Sequence, residues 1–198
     1  MTQAHENSPD AHHDDYSKTV FGFWIYLLTD FMLFATIFAA YAVLSKSTFG
    51  GLSGRELFDI HYTFNQTLIL LFSSVTAGFA GAFAHRKNKR GTIAFFIVTF
   101  VLGIAFMWMM FGEFSHLSSL GYTWKTNAFF SIFYTLVGIL GLHVLFALLW
   151  VIVLIPPIFC NGITPISLKR LTCLRMFWQF INIIWVFIFT IVYLLGVI

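Results

Sequence analysis

One carboxyl group lies in the middle of an otherwise apolar stretch of the chain. Residues 21–44 read FGFWIYLLTDFMLFATIFAAYAVL, and Asp30 is the only acidic or basic side chain among them. A helix of this length measures about 36 Å and can cross a hydrocarbon layer of about 30 Å. A charge inside that layer costs at least about 2.5–3.5 kcal/mol on insertion scales, so Asp30 requires a partner, a proton or a protein-facing position. Asp30 is therefore the first candidate for proton-linked chemistry.

Two more ionisable side chains lie in or beside apolar stretches. Glu113 stands in the motif EFSHL, and His143, in GLHV, is the only histidine well inside such a stretch. An ionisable residue at membrane depth is a functional candidate by default. The competing interpretation is a hydrogen-bonded group that only fastens two helices. The sequence leaves both interpretations open.

No haem, metal or catalytic site is predicted in this chain. A haem held between membrane helices needs two axial ligands, usually histidines, at matching depth. The other histidines stand in the N-terminal tail, in or beside loops, or at a helix end: His5, His12, His13, His61, His85 and His116. No HxxxH, CxxC, nucleophile or phosphate-loop motif occurs in the sequence. The tail is rich in His and Asp and could bind a metal, but its composition favours a solvated, disordered segment.

A strip of polar side chains follows one face of the last apolar stretch. At 100° per residue, Gln179, Asn182, Thr190 and Tyr193 fall on this face together with Arg175. Hydrogen bonds between membrane helices contribute roughly 0.6 kcal/mol each. We predict that the strip fastens this helix to its neighbours and forms no catalytic site.

The composition is that of a membrane protein. Of the 198 residues, 59% are hydrophobic and 10% are charged, whereas a soluble domain carries about 25% charged residues. The predicted fold is all-α, a polytopic bundle of five transmembrane helices over residues 21–198 that follows a disordered tail at residues 1–20. The predicted spans are about 21–44, 63–84, 92–111, 127–155 and 173–198, and Pro156-Pro157 is predicted to end the fourth.

The distribution of Lys and Arg predicts the orientation. Eight of these residues lie on the side of the N-terminus, four of them in the connection RKNKR (86–90), and three lie on the opposite side. The positive-inside rule places the N-terminus in the cytoplasm and the C-terminus outside. Asp30 is then expected in the cytoplasmic half of its span.

Several segments resemble subunit III of the haem–copper terminal oxidases. The first span is similar to the first helix of the five-helix form found in bo-type ubiquinol oxidases. The similarity continues at LLFSSVTAGFAG (70–81), EFSHL (113–117), GLHV (141–144) and FWQFINIIWVFIFTIVYLLG (177–196). It implies a non-catalytic subunit of a proton-pumping complex in the bacterial inner membrane, which oxidises ubiquinol and reduces oxygen to water.

The resemblance also implies the partners. The large haem–copper subunit I would carry haem b, haem o and copper, and subunits II and IV would complete the complex. Membrane phospholipid is expected in a cleft of this chain, and no nucleic-acid partner is expected. By the same resemblance, Asp30 matches the membrane carboxylate of the family's first helix, which is associated with the proton-entry side of subunit I.

The sequence departs from the pattern of this family at five positions. Leu140, Gln179 and Asn182 stand where the family typically has His, His and Asp. Met110 replaces an acidic residue that is often found three positions before Glu113, and Gln66 occupies a position that is Glu in close bo-type relatives. Amides form hydrogen bonds without ionising, so these replacements leave no unpaired charge. They put in doubt a proton role for this inner cluster, while the three ionisable candidates remain.

Three alternative functions remain open on the sequence. One is an accessory subunit of a nitric oxide reductase, which shares the fold, and another is a subunit of a cytochrome c oxidase. The third is a small proton-coupled carrier that uses Asp30. Such carriers show internal repeats or broken helices, and the sequence shows neither.

Overall fold

The structure, a computed structural model, describes residues 9–45 and 59–194. It consists of α1 (Pro9–Leu44), α2 (Ile60–His85), α3 (Lys89–Ser119), α4 (Ala128–Asn161) and α5 (Pro165–Ile188), and α5 continues into a π-helical segment, Phe189–Leu194. No strand occurs in these two described stretches. All five helices, α5 taken with its π-helical end, are long and apolar enough to cross a membrane. The prediction of an all-α protein with five transmembrane helices is confirmed.

The first helix extends further towards the N-terminus than the sequence predicts. Residues 9–20 are helical, where a disordered tail was expected, and residues 1–8 lie outside the described part. Extending an existing helix is much easier than starting one, because the nucleus is already formed. The Tyr16 hydroxyl donates a hydrogen bond to Oγ1 of Thr172 in α5, at 3.2 Å. This contact holds the N-terminal part of α1 against the bundle.

The fourth helix continues through both prolines, contrary to the prediction that Pro156-Pro157 ends it. It ends instead at Asn161, and the next residue, Gly162, has a φ of 74°, a left-handed conformation that glycine adopts without strain. Proline lacks the N–H that would bond to the carbonyl four residues earlier. Within a membrane the helix is still favoured, because a broken helix would leave more backbone groups without a partner.

Four of the helices form a bundle, and α1 packs on its outside. Neighbouring pairs in the bundle are α2 with α3, α3 with α4, α4 with α5, and α5 with α2. The first helix lies against α4 and α5. This arrangement leaves one groove between α1 and α4 and another between α1, α5 and α2.

Trp178 of α5 fills the middle of the bundle. Its side chain is 1% exposed, and its indole N–H donates to Oγ of Ser73 in α2 at 3.0 Å. The ring fits because position 103 in α3 is glycine: a Cβ there would lie 2.7 Å from Trp178 Cη2 and 2.8 Å from Leu148 Cδ2 in α4. One α5 side chain therefore contacts α2, α3 and α4, and the closeness of these helices depends on Gly103.

The contact between Gly103 and Trp178 makes a prediction about stability. Gly103→Ala should destabilise the protein by about 1–3 kcal/mol, the usual cost of overpacking a tight core, because the Trp178 ring is held in place by Ser73. Gly138→Ala in α4 is the matched control, since a Cβ at Gly138 meets no atom within 4 Å. The measurement is the temperature at which the detergent-solubilised protein loses its monodisperse elution. Equal temperatures for the two variants would contradict the packing described here.

Candidate proton-linked site at Asp30 and His143

The structure brings together Asp30 of α1 and His143 of α4. Oδ2 of Asp30 lies 3.8 Å from Nε2 of His143, and the two side chains are 13% and 17% exposed. The span that contains Asp30 is Tyr16–Leu44, and that of His143 is Ala128–Cys160. Each residue lies near the middle of its span.

The backbone of α4 determines which nitrogen of His143 carries a hydrogen. Nδ1 lies 2.8 Å from the carbonyl oxygen of Ile139. A carbonyl only accepts hydrogen bonds, so Nδ1 must be the donor. Nε2 is then the nitrogen that gains or loses a proton, and it faces Asp30. A pair that carried one proton would exist either as a carboxylic acid beside a neutral imidazole or as a carboxylate beside an imidazolium. Both forms are neutral overall, which lowers the cost of placing the pair at membrane depth.

Apolar rings enclose most of this pair. The centroids of the His143 and Phe34 rings are 5.3 Å apart, and those of His143 and Phe177 are 6.0 Å apart. Oδ2 of Asp30 has no hydrogen-bond partner within the described part of the chain, and the distance of 3.8 Å to Nε2 is longer than a direct hydrogen bond. A bridging water or a small side-chain rotation would complete the contact.

Tyr26 connects the pair to the surface of the bundle. Its hydroxyl lies close to the carboxyl of Asp30, and the residue is 43% exposed. Tyr26 also lines the groove between α1 and α4, which has a volume of about 530 Å³ and is otherwise formed by apolar side chains. The Tyr26 hydroxyl therefore lies between the carboxyl of Asp30 and a surface that a neighbouring subunit or lipid can cover.

Glu113, the third ionisable candidate, belongs to a different part of the structure. Its carboxyl lies beside Gln66 of α2 and Tyr193 of the π-helical segment, and it lines a separate pocket between α2 and α3. No sequence pattern indicated this grouping, because its three members come from three different segments.

The polar strip of α5 makes fewer contacts with other helices than expected. Gln179 accepts a hydrogen bond from Ser74 of α2 at 2.9 Å. Asn182 and Thr190 instead bond to carbonyls of their own helix, Trp178 at 2.9 Å and Val186 at 2.8 Å respectively. A π-helix has more residues per turn than an α-helix, so each residue turns the chain by less than 100°. The helix face that was derived with 100° per residue therefore does not extend to Tyr193.

Within the described residues, no group of three or more His, Cys, Asp and Glu side chains is placed to hold a metal ion. The His-rich part of the tail lies among residues whose side chains the structure does not describe, so metal binding there stays untested.

The sequence matches known proteins along nearly its whole length. Residues 5–197 match the model of the family described as cytochrome c oxidase subunit III. The chain belongs to this family. It is 47% identical over 198 residues to cytochrome bo(3) ubiquinol oxidase subunit 3 of Pseudomonas aeruginosa, an alignment that covers 99% of this chain and 95% of the relative.

Two relatives from Bacillus show the range of complexes that contain subunit III proteins. Quinol oxidase subunit 3 of Bacillus spizizenii is 34% identical over 200 residues, which is 99% of this chain and 98% of the relative. Cytochrome c oxidase subunit 3 of Bacillus sp. strain PS3 is 39% identical over 180 residues, 89% of this chain and 86% of the relative. Family membership and the five helices together place the protein in the bacterial inner membrane as a multi-pass subunit.

Within this subunit III, the residue before GLHV is part of the apolar core. Leu140 is fully buried, at the position where the sequence comparison above expected a histidine. A leucine there needs no hydrogen-bond partner, so the loss of that histidine leaves no unsatisfied polar group.

The geometry of the Asp30–His143 pair predicts a coupling between the two residues. Asp30→Leu and His143→Leu should each destabilise the protein, because each leaves one buried polar group without its partner. The double variant should be less destabilised than the sum of the two, with a coupling of about 0.5–3 kcal/mol. The measurement is the free energy of unfolding of the solubilised protein. The control is Asp30→Leu combined with Gln179→Leu, which should be additive because Gln179 bonds to Ser74 of α2. Additivity in the Asp30–His143 cycle would show that the two side chains do not interact.

Proposed function

We propose that the protein is subunit III of a proton-pumping quinol oxidase of the bacterial inner membrane. The observation that supports this most strongly is the 47% identity, over almost the full length of both chains, to a subunit 3 of a cytochrome bo(3) ubiquinol oxidase. The complex would oxidise ubiquinol and reduce oxygen to water, with haem b, haem o and copper held in the large subunit I. This chain would pack against subunit I, together with subunits II and IV.

Purification in mild detergent tests this assignment. A tag on the chain should retain a large haem protein whose spectrum shows haems b and o and whose oxidase activity depends on ubiquinol. A complex that instead uses reduced cytochrome c would favour the second candidate, since one relative is named a cytochrome c oxidase subunit 3. Recovery of a nitric oxide reductase, or of the chain without any haem protein, would contradict both.

The Asp30–His143 pair is the part of this subunit that we propose to support proton uptake. A pair that shares one proton carries no net charge, and Tyr26 lies between this pair and the surface of the groove between α1 and α4. A neighbouring subunit that covers this groove would have a protonatable group beside its own proton path. The competing interpretation, a pair that only fastens α1 to α4, predicts a different response to substitution.

Asp30→Asn distinguishes the two interpretations. The amide can donate to Nε2 of His143, so the contact between α1 and α4 is kept and the complex should assemble at normal yield. Because the proton concentration falls tenfold per pH unit, losing a proton-holding group should slow sustained turnover several-fold at alkaline pH and much less at acidic pH. The measurement is the pH–rate profile and the pumping ratio in reconstituted vesicles.

The matched control is Thr36→Ala, at an exposed hydroxyl of the same helix that donates to the carbonyl of Leu33. It should leave the profile unchanged. If Asp30→Asn also leaves the profile and pumping ratio unchanged in an assembled complex, the pair has a structural role only.

We also propose that the groove between α1, α2 and α5 holds a phospholipid. It has a volume of about 490 Å³, and its walls include Trp24 and Phe31 of α1 and Gly78 of α2. Arg175 lines it too and is the only charged side chain that does so. The Arg175 side chain lies across Gly81, where a Cβ would be 2.8 Å from its Cδ. The guanidinium at one end of the groove can bind the phosphate of a phospholipid, and the apolar walls can bind its acyl chains.

Arg175→Leu should lower the number of phospholipids retained in native mass spectra, and unchanged retention would contradict this assignment.

The orientation that we propose has the N-terminus in the cytoplasm, as the eight-to-three distribution of Lys and Arg indicates. Cys160, which is exposed near the end of α4, tests it without any substitution. An impermeant thiol reagent should label Cys160 in inverted membrane vesicles and spare it in right-side-out vesicles. A cysteine at Ser118, exposed at the other end of the bundle, should show the opposite pattern. The reverse result for both would invert the topology.

A further inference from the structure

A second buried polar group lies near one end of the bundle, apart from the Asp30–His143 pair. Gln66 of α2 is 0% exposed, and within the described residues neither its amide nitrogen nor its amide oxygen has a hydrogen-bond partner. Oε2 of Glu113 is buried and has no partner there either. Burying an amide without a hydrogen bond costs at least about 1–3 kcal/mol. The adjacent Gln66 amide and Glu113 carboxyl therefore need a proton or a water molecule that completes their hydrogen bonds.

A pocket leads from the end of the bundle to the carboxyl of Glu113. Its volume is about 350 Å³, and its walls are Asp59, Tyr62, Gly112, Glu113, His116 and Leu117. These residues come from the first turn of α2 and the last two turns of α3, which is the end of the bundle opposite RKNKR. The pocket contains several polar side chains and is large enough for several water molecules, and water can bridge groups that are too far apart for direct bonds.

Two local contacts keep this pocket open. The Tyr62 hydroxyl donates to the carbonyl of Met109 at 2.9 Å, which holds the phenol against α3. Gly112 lies beside that hydroxyl, and a Cβ there would be 3.2 Å from it. A larger residue at position 112 would therefore fill the space through which water reaches Glu113.

The charges around Glu113 limit what can bind there. The titratable groups that face it or line its pocket are Asp59 and Tyr62 of α2, His116 of α3, Tyr134 of α4 and Tyr193 of the π-helical segment. Tyr41 of α1 lies behind them and interacts with Tyr193. No lysine or arginine among the described side chains is within ion-pair distance of Glu113. The carboxyl therefore needs either a bound cation or a proton.

A proton fits this site better than a metal cation. Hard cations take about six to eight oxygen ligands, usually from several carboxylates. Here the second carboxylate of the pocket, Asp59, already uses Oδ1 to cap α2, where it accepts from the backbone N–H groups of His61 and Tyr62. A protonated Glu113 needs only one acceptor and one donor, and the carboxamide of Gln66 supplies both.

We propose that Glu113, Gln66 and Tyr193 form a proton-binding site that exchanges protons with water through this pocket, at the membrane face that carries the N-terminus of α2. The site is independent of the Asp30–His143 pair and of the oxidase assignment, because it rests only on contacts within this chain. It gives the subunit one protonatable carboxyl in contact with the aqueous phase and another at mid-membrane.

Chemical modification of the intact complex in membrane vesicles tests the access route. A quaternary-ammonium carbodiimide does not cross the membrane and attacks protonated carboxyls. It should modify Glu113 and Asp59 from the same side, and spare Asp30, as peptide mass spectrometry will show. Since Asp59 marks the side of the membrane, the result does not depend on the absolute topology.

Gly112→Val should lower the modification of Glu113 several-fold and leave the modification of Asp59 unchanged. Modification of Asp59 without Glu113 would overturn the proposal.

Infrared spectroscopy of the purified complex tests the occupant. A protonated-carboxyl band should disappear as the pH rises, shift in D₂O, and be absent from Glu113→Gln. Gln66→Leu keeps the Glu113 carboxyl and removes its amide partner, so it should shift the pH midpoint of the band. This variant also tests the assignment if the Glu113→Gln complex does not assemble.

Replacing choline chloride with sodium chloride should leave the band unchanged. Loss of the band on adding sodium would show a cation site instead, and an unchanged band in both variants would overturn the assignment to Glu113.

Discussion

The fold depends on one constraint: inside the membrane, a buried polar group can only be satisfied by the protein itself or by trapped water. The two tryptophans of the last helix show the consequence. Trp178 donates its indole N–H to Ser73, and Trp185 donates to Oγ1 of Thr67, each at 3.0 Å. These bonds fix α5 against α2 along about two turns, and the rings then fill the space between the helices. Ring packing continues this contact: Phe106 of α3 meets Trp185 edge-on with centroids 4.8 Å apart, a geometry that adds roughly 0.5–1.5 kcal/mol beyond area burial.

The same constraint separates the two candidate proton sites. Asp30 and His143 meet at mid-membrane among apolar rings, where only a pair that is neutral overall can be accommodated without a large cost. Glu113 lies near one end of the bundle, where it lines a pocket and has no basic partner among the described side chains. The first site therefore has a matched partner within the chain, whereas we propose that the second relies on water. Both depend on contacts between helices that are distant in the sequence.

The helix ends are set by local chemistry. Asp59, Asn88, Asn127 and Thr164 each accept a hydrogen bond from a backbone N–H in the first turn of the helix that follows. Such caps satisfy backbone groups that would otherwise lack partners near the membrane surface.

The π-helical segment at the C-terminal end of α5 is a different kind of helix end. It turns Tyr193 towards Glu113, which a regular helix of the same sequence would not do, and π-helical turns often occur at functional positions.

The sequence by itself determined the five membrane helices and the subunit III family, because long apolar stretches have no other stable form in a bilayer and because the family's segments are recognisable over most of the chain. It also identified Asp30, Glu113 and His143 as the ionisable side chains to examine, since each interrupts an apolar stretch.

Only the tertiary structure decided their partners. The meeting of Asp30 with His143 requires α1 to lie against α4, and helix packing is set by the shapes of many side chains at once, among them Gly103 and Trp178. Local patterns also failed where tertiary contacts or the membrane outweighed them: residues 9–20 are helical, α4 passes through two prolines, and the π-helical segment moves Tyr193 out of the face on which regular periodicity placed it.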